Sequence, residues 1–235
     1  MFTKISSITL AILLFLVVFG TQAKFFVFII SILGLILAAF AVNFKRLNFT
    51  WPHLLLPTIY LLAVGSVFII IPSATLRLIF LIAVSINFYF LEVRLGRESH
   101  FLQNIYLLSV FGLYLGMFAV HFYFNVKNWF LVPAAFGLTY LLAIQGLAGF
   151  SLPAKRHFYF LIALVCAEAT WGLTFWPTHF FVNSIVLFSI FYLLWIFSFS
   201  AFFGKLSRQK IYWQLSLIAI ILAVTLSTAA WRPIR

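Results

Sequence analysis

FFVFIISILGLILAAFAVNF, residues 25–44, is a run of twenty residues without a charge, closed by Lys24 and Lys45. A helix rises about 1.5 Å per residue, so this run reaches about 30 Å, the thickness of a bilayer's hydrocarbon core. Backbone groups at that depth must bond one another, and a single continuous apolar run does so as a helix.

The same reading extends in both directions. Hydropathy predicts spans at Ile5–Gly20, Phe25–Phe44, His53–Ile71, Ser73–Val93, Leu102–Phe124, Trp129–Phe150, His157–Trp176, Thr178–Phe203 and Ile211–Ala230. Pro52, Pro72, Pro153 and Pro177 fall at their ends, where a missing N–H costs least. Trp51, Trp129, Trp176, Trp213 and Trp231 stand at span ends, as an interfacial aromatic belt requires. Apolar residues make up 66% of the chain and charged ones 8%, whereas a soluble domain carries about a quarter charged residues. The predicted fold is therefore an all-α, polytopic transmembrane helix bundle of about nine spans. It is read as one integral membrane domain over residues 1–235 with no soluble domain.

The basic residues set the expected orientation. With the N-terminus inside, the cytoplasmic set is Lys4, Lys45, Arg46, Arg94, Arg97, Lys155, Arg156, Lys205, Arg208 and Lys210. The outer set is Lys24, Arg77, Lys127, Arg232 and Arg235, and ten against five predicts N-in and C-out. Arg232 and Arg235 oppose that rule. Residues 1–23 also imitate a signal peptide, with Lys4, a short apolar run and then Thr21-Gln22-Ala23. The second apolar run follows at once, which favours an uncleaved first span.

A net charge of +12 could suggest nucleic acid, but the cations lie in loops and at span ends. They suit a bilayer with anionic lipids instead. The expected setting is the plasma (inner) membrane, as a multi-pass protein with possible membrane-protein partners and no nucleic acid. Cys166 is the only cysteine, so no intramolecular disulfide or thiolate cluster is expected. His53, His100, His121, His157 and His179 make no i, i+4 pair with each other or with a carboxylate. No metal or other cofactor is predicted. The chain has no Asp at all, which removes Asp-rich magnesium chemistry.

Glu168 is the first candidate site residue, one of three acids in the chain. It lies eleven residues from His157, about 16 Å along its span and close to the bilayer midplane. A carboxylate there costs about 2.5 kcal/mol or more on insertion scales. Leu164, Trp171, Gly172 and Phe175 share its helix face. Tyr114, Tyr140 and Ser189 are the polar groups at similar depth, and Arg77 is the basic residue within reach if its span packs nearby. Three roles stay open: a protonated clamp between helices, a titrating proton or cation site, and a catalytic acid.

Two further clusters accompany it. Pro177 breaks one span, and His179 and Asn183 follow one turn apart, where they would line a shared polar pocket. Phe175, His179 and Asn183 spell FxxxH and HxxxN patterns resembling intramembrane proteases of the CAAX-processing type, without those enzymes' paired glutamates and following arginine. The cytoplasmic loop residues Glu92, Arg94, Arg97, Glu98 and His100 could bind phosphate and move a proton, or compensate one another in solvent. Gly112 with Gly116, and Gly34 with Ala38, read as helix-packing faces within the bundle.

The string Glu168-x-x-Trp171-x-x-x-Phe175-x-Pro177, followed by Val182 and Asn183, resembles a recurring segment of uncharacterised multi-span membrane proteins. Those proteins come from small-genome, candidate-phylum bacteria and are classed as a domain of unknown function. The resemblance covers about sixteen residues and implies an integral inner-membrane protein without an assigned activity. The reading that leads is a structural or accessory subunit of an envelope assembly. A small proton-coupled permease using Glu168 and a membrane-embedded enzyme near the outer leaflet are the alternatives. Without a metal site, a nucleophile motif or a second buried acid, an enzyme is the less supported of these.

Overall fold

A computed structural model describes residues 2–21, 24–46, 51–95, 100–148, 155–202, 204, 207–229 and 231. Among the described residues there are nine helices and no strand. They are α1 (Phe2–Thr21), α2 (Phe25–Arg46), α3 (Trp51–Ile70), α4 (Ala74–Arg94), α5 (His100–Phe124), α6 (Asn128–Gly146), α7 (Lys155–Leu173), α8 (Phe180–Phe202) and α9 (Arg208–Thr228). The helices α2, α4, α5, α6, α8 and α9 are long and apolar enough to cross a membrane. Two shorter apolar stretches, Ile5–Thr21 and Leu54–Ile70, belong to α1 and α3. The remaining helix, α7, carries Lys155, Arg156 and Glu168 in its 19 residues.

Helix ends follow local chemistry. Ser73 caps α4 by accepting from the Leu76 N–H at 3.5 Å, and Ser207 caps α9 by accepting from Lys210 at 3.3 Å. Asn125 follows α5 with φ 50°, the left-handed residue that often ends a helix. The seventh helix stops at Leu173, three residues before the predicted end. There the Thr174, Phe175 and Trp176 N–H groups turn back onto the Trp171, Gly172 and Leu173 carbonyls, at 3.3, 3.2 and 3.1 Å. This tightened last turn precedes Pro177, whose ring disfavours helical backbone in the residue before it.

The chain divides into two compact units, Met1–Leu113 and Tyr114–Arg235, with the boundary inside α5. In the first unit α1 packs on α2 and α4, and α3 packs on the same two, so the four helices close a ring. Its core is a set of stripes at helical spacing: Leu10, Leu14 and Val18 on α1, and Phe28, Ile32, Leu35 and Ala39 on α2. Leu61 and Val64 answer from α3, Leu81 and Phe88 from α4. The N-terminal half of α5 meets α3 closely, since a Cβ on Gly112 would stand 3.2 Å from both Ala63 Cβ and Val67 Cγ2. That part of the small-residue reading describes a packing face. Gly34 does not: a Cβ there would meet nothing within 4 Å, because α2 turns it away from its neighbours.

In the second unit α7 packs on α6 and α8, and α9 packs on α8. Small residues allow the α6–α7 approach, with Ala135 and Ala143 of α6 and Ala163 of α7 fully buried. The Tyr114 hydroxyl shares a 2.9 Å hydrogen bond with Thr139 of α6, and its ring stands edge-on to Phe191 of α8. The Trp195 Nε1–H of α8 donates to the Gly146 carbonyl at 3.0 Å. By contrast, α9 buries only Ile218 and exposes most of its apolar surface.

Candidate functional site

Glu168 lies on α7 opposite the face that packs. The buried positions are Tyr159, Ile162, Ala163, Cys166, Ala167, Thr170 and Leu173, a stripe of period close to 3.6. Glu168 is exposed, and so are Leu161, Leu164, Val165, Trp171 and Gly172. A Cβ added at Gly172 would meet nothing within 4 Å. Among the described residues Glu168 has no hydrogen-bond or ion-pair partner. The polar groups predicted at its depth look elsewhere: Tyr114 bonds Thr139, the Tyr140 ring stands edge-on to Tyr159 on the buried face of α7, and Ser189 is buried at 2% exposure. Glu168 is therefore no clamp between the described helices of its own unit, because a clamp needs the opposite helix face.

Arg77 is likewise committed within its own unit. Its Nε–H donates to the Ile71 carbonyl at 2.6 Å, and its guanidinium carbon stands 5.7 Å from the centre of the Phe68 ring. The side chain thus ties the α3–α4 connection to the α3 helix that precedes it.

Trp171 and Phe175 continue the Glu168 face, both exposed, with rings edge-on at 5.5 Å. His179 and Asn183 separate. Asn183 is buried, accepts from the Thr178 hydroxyl at 2.7 Å and donates through Nδ2 to the Leu173 carbonyl at 3.3 Å. It pins the end of α7 to the start of α8. His179 is exposed, precedes α8, and its ring lies against Phe180 and Phe122 with centroids 4.0 and 5.3 Å away. Its Nδ1 accepts from the Phe181 N–H at 3.4 Å. The predicted shared pocket does not form because the two side chains serve different sides of the turn.

The predicted cytoplasmic loop also comes apart. Glu92 belongs to α4, points inward and is 0% exposed. Its Oε1 accepts from Asn43 Nδ2 at 3.0 Å, joining α4 to α2. Arg94 is exposed, with its guanidinium 4.7 Å from the Phe101 ring centre and 5.9 Å from that of Phe90. His100 opens α5 in an exposed position. Arg97 and Glu98 lie outside the described residues. Helix α4 runs on past the predicted start of the loop, and its rotation puts Glu92 inside and Arg94 outside.

Asn43 is the residue that sequence reasoning missed. A signal was present: it continues the Phe28–Ile32–Leu35–Ala39 stripe by one turn, as Glu92 continues Leu81–Ser85–Phe88. Two polar residues ending two inward stripes are candidates for each other. Ser7, at 0% exposure, lies toward the start of the inward stripe of α1. Among the described residues no three His, Cys, Asp or Glu gather as a metal site.

No match was found among curated proteins or solved structures. Residues 4–229 match the family described as "Protein of unknown function (DUF5656)". That span runs from the first helix to the end of the ninth, and it contains both carboxylate environments. With its apolar helices and this match over nearly its whole length, the chain is an integral membrane protein that belongs to the DUF5656 family.

Proposed function

We propose that this protein is a structural or accessory subunit of an envelope assembly in the plasma membrane, joined to its neighbours through the outer face of α7. The observation that supports this reading is the exposure of Glu168 in the middle of that face. Helix α7 packs along α6 and α8, both long enough to cross a membrane, so its outer face shares their depth. A carboxyl facing hydrocarbon there costs about 2.5 kcal/mol or more. A helix of another chain that brings a hydrogen-bond donor removes that cost. Gly172, one turn away with open space around it, lets such a helix approach closely. Leu164, Val165 and Trp171 supply the packing surface on either side.

The test uses the whole protein in its native membrane. A cysteine placed at Val165 or Gly172, on the exposed face, is expected to cross-link to a neighbouring membrane chain, whereas the buried Cys166 alone is not. Glu168→Leu is expected to abolish the cross-link and the larger species on native gels, and Glu168→Gln to retain part of both. A protein that runs alone in mild detergent, with no cross-link at either position, would overturn the reading. Proton flux in proteoliposomes that Glu168→Gln abolishes would replace it with transport.

A further inference from the structure

We infer that the groove between α1 and α4 is a binding site for one anionic phospholipid, with the acyl chain along the groove and the headgroup at Arg94. This inference is independent of the α7 reading. The groove has a volume of about 570 Å³ and is lined by Ile8, Ile12 and Phe15 of α1 and by Ile82, Ile86 and Phe90 of α4, among others. Ser85 and Tyr89 are the polar residues of its lining.

Charge and length select the occupant. Arg94 follows Phe90 by one turn, and its guanidinium lies 5.9 Å from the ring that lines the groove. It is exposed, and its guanidinium carbon lies over the rings of Phe90 and Phe101. The short connections between α1, α2, α3 and α4 make successive helices antiparallel, so the start of α1 lies at the Arg94 end of α4. One exposed cation, Arg94, therefore stands one turn beyond the Phe90 end of the apolar groove. From Arg94 to Ile82 is twelve residues, about 18 Å of helix, against about 15 Å for one leaflet of the hydrocarbon core. A free phosphate would use Arg94 and leave the groove empty. A lipid without net charge would use the groove and leave the Arg94 charge uncompensated. An anionic lipid satisfies both.

The experiment is native mass spectrometry of the full protein, released from nanodiscs holding phosphatidylglycerol and phosphatidylcholine in equal amounts. The wild type is expected to retain one phosphatidylglycerol in preference to phosphatidylcholine. Arg94→Ala should lower that retention about fivefold, the effect of one surface cation near an anionic headgroup, and Arg94→Lys should restore most of it. Ile86→Trp, which fills the groove and leaves Arg94 in place, should also lose the bound lipid; Ile12→Trp on the opposite wall serves if that variant fails to fold. Equal retention of phosphatidylcholine, or retention unchanged in Arg94→Ala or in the folded tryptophan variant, would overturn the inference.

Discussion

The first unit holds Glu92 inside, and the second holds Glu168 outside. Glu92 ends an inward stripe of α4 and takes a hydrogen bond from Asn43, while Glu168 sits in the outward stripe of α7 with apolar side chains around it. Both are single carboxylates on helices of similar length, so residue type and helix type do not explain the difference. The ring of α1–α4 gives Glu92 neighbours on every side. The row of α6, α7 and α8 packs α7 on its neighbours and leaves the Glu168 face uncovered. An acid enclosed by its own chain serves that chain's fold; an acid on an open face is available to something else.

The widest separation between the two should appear on truncation. Glu92→Ala removes a buried carboxyl, opens a void and strands the Asn43 amide, and should destabilise the protein by about 3 kcal/mol. Glu168→Ala should change the stability of the isolated chain by no more than about 0.5 kcal/mol. Thermal unfolding in one detergent compares the two, and equal losses would erase the distinction.

Gly112→Leu probes the first unit without touching a polar group. Its first added atom meets Ala63 and Val67 at 3.2 Å, and overpacking there should cost about 2 kcal/mol. Gly172→Leu, in open space, should leave stability nearly unchanged and so extend the contrast to apolar contacts. A comparable loss from both would show that α7's outer face is covered within the chain.

In the second unit, Tyr114→Phe removes the hydroxyl that pairs with Thr139 and should cost about 1 kcal/mol. His179→Ala, at the exposed start of α8, should cost about 0.5 kcal/mol or less. Asn183→Ala loses two bonds across the α7–α8 turn and should exceed it clearly. Equal effects of the His179 and Asn183 variants would reinstate them as one functional pair.

Much of the fold was legible in the residues. Predominantly apolar runs near bilayer length, punctuated by proline and bordered by lysine and arginine, located the helices to within a few residues. The limits that moved have local causes. The turn at Thr174–His179 takes residues from both flanking spans because Asn183, Thr178 and Leu173 bond to one another there. Glu92 was misread as a loop residue because charge near a span end suggests solvent, although the spacing of Leu81, Ser85 and Phe88 already pointed it inward.

The residues expected on the Glu168 face, Leu164, Trp171, Gly172 and Phe175, are all exposed, although Phe175 lies past the end of α7. Whether that set faced in or out was beyond any periodicity. Along α7 both faces are predominantly apolar, so hydropathy has no preferred side to choose. Amino-acid order alone thus determined the class of solvent, the helices and their limits, because these depend on runs of residues and the cost of an unbonded backbone in hydrocarbon. Only the tertiary structure decided which side of each helix is covered, since that depends on which helices stand beside it. That decision put Glu92 in the interior beside Asn43 and left Glu168 on the surface.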